Sequence, residues 1–195
     1  MSALKSGVLA GLLLAISLGL SVGLGSLAPA APATTEFHRQ DVDALDKDGW
    51  QPAVSTKGDF SIQIPVTFHD YTIHADDENV GKMEVHIIAG RSVEGLKFTV
   101  TEMVRTPRMK DPNIADIAGD FKNKPGTKVS DLVQGMQDGA ERLSFVVTGG
   151  KTGAYMQVIK TRTALYTLAL EFPNAERELA SDVKSGFFDS FKLKD

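Results

Sequence analysis

Lys128-Val129-Ser130-Asp131-Leu132-Val133-Gln134-Gly135-Met136-Gln137-Asp138-Gly139-Ala140-Glu141-Arg142-Leu143-Ser144-Phe145-Val146-Val147-Thr148 reads as strand, tight turn, strand. Leu143, Phe145 and Val147 alternate with their neighbours, the period of a strand with one buried face. Asp138-Gly139 suits a type I′ turn, because both central residues must take positive φ and these two types tolerate it. A two-residue link joins only antiparallel neighbours; parallel strands need a crossover of a dozen residues or more. The stretch therefore sets the fold class as an antiparallel sheet, with a strand over Lys128–Gln137 hairpinned to Glu141–Thr148.

The same alternation extends outward. Phe60, Ile62 and Ile64 share one face against Ser61 and Gln63, and Pro65 closes that run. Met83, Val85 and Ile87 repeat it, as do Leu96, Phe98 and Val100, then Ala154–Lys160, then Tyr166, Leu168, Leu170 and Phe172. Faces buried unequally are the habit of antiparallel sheets. Two segments carry helical spacing instead. Asp111 is placed to cap and Pro112 to open the first, whose face is Ile114, Ile117, Ala118 and Phe121, with Pro125-Gly126 ending it. The second starts near Asn174 and sets Leu179, Val183, Phe187 and Phe191 at four-residue steps, with Phe188 beside them. The expected class is α+β, an antiparallel β-sheet flanked by helices after an N-terminal hydrophobic helix.

Charge divides the chain. No charged side chain occurs between Lys5 and Glu36, and Gly7–Leu27 is a run long enough to span a hydrocarbon core. Its densest part, Val8–Ile16, has the length of a signal-peptide core, and Ala28-Pro29-Ala30 and Ala31-Pro32-Ala33 are small-x-small sites. Residues 1–30 are thus a signal peptide or an N-terminal membrane anchor. The small-residue sites favour cleavage and the spanning length favours retention. Either way the domain is expected outside the cytoplasm, in the periplasm or at the cell surface, secreted or anchored. Residues 31–49, opening in Pro/Ala/Thr and running through acidic Asp41–Asp48, read as a flexible acidic tether too polar to offset its own ordering. Residues 50–195 form the domain.

The whole chain carries a net charge of −4, and residues 1–30 hold one lysine and no acid, so the remainder carries −5. That balance opposes binding to nucleic acid or to an anionic membrane surface. The membrane is expected to be met only through the N-terminal segment. With no cysteine, the chain has neither disulfides nor a lipid-modified cysteine, and its stability rests on the core.

Candidate chemistry is thin. Gly149-Gly150-Lys151-Thr152-Gly153 ends like a phosphate-binding loop, but Phe145 occupies the position of the motif's first Gly and a strand follows, so a hairpin loop is expected. Asp46-Lys47-Asp48-Gly49 resembles part of an EF-hand loop, yet Ala44 and Ser55 stand where its first and last carboxylates belong. His74 and His86 with Glu84, together with Asp76 or Asp77, could converge on a metal ion, although no zinc-protease His spacing is present. Adjacency of His74 and Glu84 in space is the observation that strengthens this reading. His38 lies in the tether. There is no Gly-x-Ser-x-Gly elbow, and Trp50, Tyr71, Tyr155 and Tyr166 alternate with core positions instead of forming a stacking platform. The sequence assigns no catalytic, cofactor-binding or metal residue and no cofactor.

Three stretches carry a family resemblance. Gly58-Asp59-Phe60-Ser61-Ile62-Gln63-Ile64-Pro65 resembles the Gly-x-Phe-Ser-x-x-x-Pro opening of PsbP-like domains. Lys151–Met156 with Leu165–Leu168 is similar to their late hairpin, and Phe187-Phe188-Asp189-Ser190-Phe191-Lys192-Leu193 to their closing helix and strand. The resemblance covers roughly Trp50 to Leu193. It implies an α/β/α sandwich and a non-catalytic accessory or interaction role, here with an extracytoplasmic protein or an envelope component as partner. The alternatives are an exported hydrolase or metal-dependent enzyme, with a site assembled from His74, Glu84 and His86 or from an unrecognised triad, and a binder of a small apolar ligand between sheet and helix.

Overall fold

A computed structural model describes residues 33–42, 46–77 and 80–194. The hydrophobic leader expected over residues 1–30 lies outside these residues. Among the described residues no helix is long and apolar enough to cross a membrane. In chain order the strands are β1 Thr34–Val42, β2 Gln51–Val54, β3 Phe60–Ile64, β4 Phe68–Asp77, β5 Gly81–Arg91, β6 Lys97–Val104, β7 Thr127–Gln137, β8 Ala140–Gly149, β9 Thr152–Lys160, β10 Ala164–Pro173 and β11 Lys192–Leu193. Helix α1 is Ile114–Lys122 and α2 is Arg177–Phe188, entered through a 3-10 turn at Asn174–Glu176.

One large sheet runs β1-β4-β5-β6-β10-β9-β8-β7, and β11-β3-β2 form a small second sheet. Every ladder is antiparallel. Short links account for this: the β7–β8 turn has Asp138 at φ 52° and Gly139 at φ 76°, as a type I′ turn requires. The β8–β9 turn closes through Gly150-Lys151, the hairpin expected of the phosphate-loop lookalike.

Each face of the large sheet buries a separate core. On one, Ile88, Phe98, Val100, Leu168, Leu170 and Phe172 pack beneath the small sheet and α2, contacting Phe60, Ile62, Ile64, Ala180 and Phe187. On the other, Val85, Ile87, Met103, Phe145, Met156, Val158 and Leu165 pack beneath α1 through Ile114, Ile117, Ala118 and Phe121. Burying a side chain of this size contributes about 1.5–3 kcal/mol, so paired cores replace the disulfides the chain lacks. Helices on both sides of an antiparallel sheet give the expected α+β sandwich, with the small sheet sharing one layer.

Three local expectations change. Residues 34–42, expected to lie in the tether, form strand β1, paired with β4 from Thr34↔His74 to Val42↔Phe68. Its own composition does not predict this; beside the backbone ladder, its side chains find partners on β4, where Arg39 meets Asp70 and His38 meets Thr72. Asn113, not Asp111, caps α1, its Oδ1 accepting the Ala115 N–H at 3.2 Å. Asp111 is held instead by Arg105 at 2.8 Å and Lys160 at 3.1 Å. On α2 the buried positions are Ala180 and Phe187 with Val183 half-buried between them, while Leu179 is exposed. The Trp50 ring packs against this helix at Gly186, where a Cβ would lie 2.7 Å from it.

Candidate functional site

The four histidines of the chain all fall on β1, β4 and β5, at one edge of the large sheet. Alternation along β4 sets Asp70, Thr72 and His74 on one side, and register places them beside Ile88, His86 and Glu84 of β5. His86 lies next to Glu102 of β6, and Glu102 next to Tyr166 of β10. From β1, Glu36 pairs with Thr72 and Arg39 with Asp70. A polar row thus crosses five strands on the face that elsewhere carries an apolar core.

At its deep end Asp70 is fully buried. Its Oδ2 accepts from Arg39 Nε at 3.2 Å and Nη2 at 3.0 Å, and from the Thr56 N–H at 2.8 Å and Oγ1 at 2.6 Å. Arg39 also donates to the Val54 carbonyl and lies over the Phe68 ring at 5.4 Å. Asp70 Oδ1 has no hydrogen-bond partner. A buried carboxylate with four donors on one oxygen fixes the β1 strand to both sheets at once.

In the middle, Thr72 Oγ1 lies 2.8 Å from His38 Nε2 and 2.9 Å from His86 Nδ1. One hydroxyl has one proton to give, so it donates to one imidazole and accepts from the other. Burial holds the His86 pKa below the ordinary histidine value, against the opposing pull of Glu102 and Glu84. Glu102 accepts from Tyr166 Oη at 2.8 Å and from the Asp59 N–H at 2.8 Å. Burial first, and the Glu102 contact second, push the Tyr166 pKa well up, so its proton stays on the phenol. Gly58 caps this part: a Cβ there would collide with Glu102 Oε2 and lie 3.0 Å from His86 Cβ.

At the outer end His74 sits between Glu36 and Glu84, with Nε2 3.3 Å from the first and Nδ1 3.5 Å from the second. The structure therefore brings His74 and Glu84 together, the adjacency named above. His86, two residues along β5 from Glu84, makes its hydrogen bond to Thr72 instead of to this pair. Asp76 and Asp77 sit further along β4, and Asp77 Oδ1 accepts the Val80 N–H at 3.0 Å. Among the described residues no group of three or more histidine, cysteine or acidic side chains is arranged to hold a metal ion.

The remaining candidates have structural occupations. Asp46 Oδ1 accepts the N–H groups of Asp48 at 2.8 Å and Trp50 at 2.9 Å, closing a turn before β2. Tyr155 lies beneath Lys184 at 5.1 Å and against Phe172, and Tyr166 is buried. The sequence does not mark His38, Arg39, Thr72 and Glu102 as a group. The available signal was polar residues in phase on successive strands: Asp70, Thr72 and His74, then Glu84 and His86, then Glu102.

No protein-family model matches the chain, and no curated protein matches it in sequence. Among solved structures, the chain is similar to cyanobacterial PsbP from Synechocystis sp. PCC 6803, a solution structure, with 13% identity, TM-score 0.49, and 78% of this chain and 96% of that chain covered. It is also similar to LpqN, a protein involved in cell envelope biogenesis of Mycobacterium tuberculosis, with 12% identity, TM-score 0.40, and 86% and 87% covered. PsbP is the family that residues 58–65 and 187–193 resemble in sequence. At these values the likeness is one of fold outline and carries nothing on activity, ligand or partner.

Proposed function

We propose that the chain is an exported or membrane-anchored accessory domain, non-catalytic, that binds an extracytoplasmic protein or an envelope component. The observation that supports it is the join between the uncharged leader and the fold. The run without charge lasts to Thr35, and strand β1 begins at Thr34. The leader thus passes into a strand held by Arg39–Asp70 and by the His38–Thr72–His86 chain, with no long spacer between. With the leader retained, so short a join keeps the domain beside the membrane; cut at the small-residue sites, the same leader releases the domain outside the cytoplasm.

In the polar row, Asp70, Thr72, Glu102 and Tyr166 spend their hydrogen bonds within the protein, which suits a clamp better than an acid–base centre. The test is fractionation of cells producing the tagged full chain, followed by crosslinking in intact cells and recovery from solubilised envelope. The expected result is protease-accessible protein in spheroplasts together with a reproducible crosslinked envelope component. Intact chain dissolved in the cytosol overturns the reading.

A further inference from the structure

Strand β7 is the outermost strand of the large sheet at the end away from β1, and pairs only with β8. Asp131, at φ 52°, stands in a register shift between Ser130 and Val133. Beyond it the strand resumes regular pairing from Val133↔Ser144 to Gln137↔Ala140. Leu132-Val133-Gln134-Gly135-Met136-Gln137 contains no charge and no proline. Leu132, Val133 and Met136 are 43%, 69% and 70% exposed. Protein sheets normally guard a free edge with charges, proline, or a covering element, because unpaired peptide groups there invite another strand. Helix α1 lies against the first part of β7, where Val129 packs on the second core, and residues 131–137 beyond it are exposed.

We infer that β7 pairs antiparallel with β7 of a second copy, about a two-fold axis at Gln134. Three features of the strand fit this occupant. In a two-residue hairpin the closing pair, Gln137 and Ala140, exchanges both hydrogen bonds, so Leu132, Gln134 and Met136 turn their peptide N–H and C=O groups to the free edge. An axis at Gln134 sets Gln134 opposite itself and Leu132 opposite Met136 of the second copy, so each of these pairs exchanges two bonds. On the opposite side of the strand, Val133 falls beside Gly135, where a Cβ would meet nothing within 4 Å. Finally, residues 132–136, which pair, carry no charge, so no like charges face each other across them; Asp131 and Asp138 flank the paired segment. The arrangement closes on itself as a dimer, because it uses up the β7 edge of both copies. This inference goes beyond the envelope reading and stands without it.

The chain has no cysteine, which makes the test direct. The full-length Gln134→Cys variant, in mild detergent, is oxidised gently and followed on non-reducing gels. Opposed residues in a hydrogen-bonded antiparallel pair lie about 5.5 Å apart, within disulfide range. Val93→Cys, at a position 99% exposed in the β5–β6 turn, is the control for random collision. The expected result is a linked dimer forming at least about tenfold faster from Gln134→Cys than from the control, with that advantage abolished when Val133→Lys is added. A contact this small sits at the weak end of specific interfaces, so the series reaches the hundred-micromolar range. Equal rates for the two cysteines overturn the proposal, as does an advantage that survives Val133→Lys in a variant that melts like the parent. A Gln134→Cys link to a different protein in cells also overturns it. Loss of the dimer leaves the fractionation and crosslinking result unaffected, so the two readings fail separately.

Discussion

The two edges of the large sheet are built on opposite plans. The β1 edge carries Glu36, Arg39 and Asp41, departs from regular register twice, and has Asp41 at φ 49°. The β7 edge has one comparable break, at Asp131, and then runs uncharged to its turn. Both have an aspartate in the left-handed region, so the break alone does not distinguish them. The difference lies in what the side chains do: at β1, His38 and Arg39 reach inward to buried Thr72 and Asp70 of β4, whereas at β7 the side chains from Asp131 onward stand in solvent. A free edge can be closed by its own protein's charges or left open for another strand, and this sheet does one at each end.

Removing the inward reach should be most damaging. Arg39→Ala leaves Asp70 buried with only Thr56 donating to it, and is expected to cost about 3 kcal/mol in urea unfolding, as for other broken buried pairs. A loss under about 1 kcal/mol would show that β1 is not held there. Gly58→Ala forces a methyl against Glu102 and the Phe60 ring, an overpacking worth about 2 kcal/mol by the same measurement. Acid should then separate the edges. Because burial depresses the His86 pKa, the unfolded chain binds the extra proton more readily, and the stabilisation present above pH 6.5 is lost as pH falls through and below that value. Hydrogen exchange of β1 and β4 amides should accelerate on acidification relative to β7 and β8, after correction for intrinsic rates; parallel behaviour of the two edges contradicts the seam. Smallest is Val133→Lys, expected to change monomer stability by no more than about 0.5 kcal/mol in thermal melts, since it touches only the open edge.

What was legible in the sequence followed from local period. Ile114, Ile117, Ala118 and Phe121 are all buried as their spacing requires, and the Asp138-Gly139 turn joins the strands it was expected to join. Where reading failed, a distant partner decided. Strand β1 is mostly polar, and beside its ladder with β4 its side chains are held by Asp70, Thr72 and Tyr71, more than thirty residues away in sequence. Helix α1 is capped by Asn113, while Asp111 pairs with Arg105 and Lys160, and periodicity carries no record of either partner. The seam itself is half visible: His74, Glu84 and His86 read as a candidate cluster, but only the register shows that Thr72 stands between His86 and His38.

Trp50, the sole tryptophan, lies against Gly186 of α2, joining the approach to the small sheet to the last helix of the chain. Its emission is therefore a built-in optical gauge of whether the C-terminal helix is seated. A red shift that precedes loss of the strand signal on heating would mark that helix as the first element to lift away.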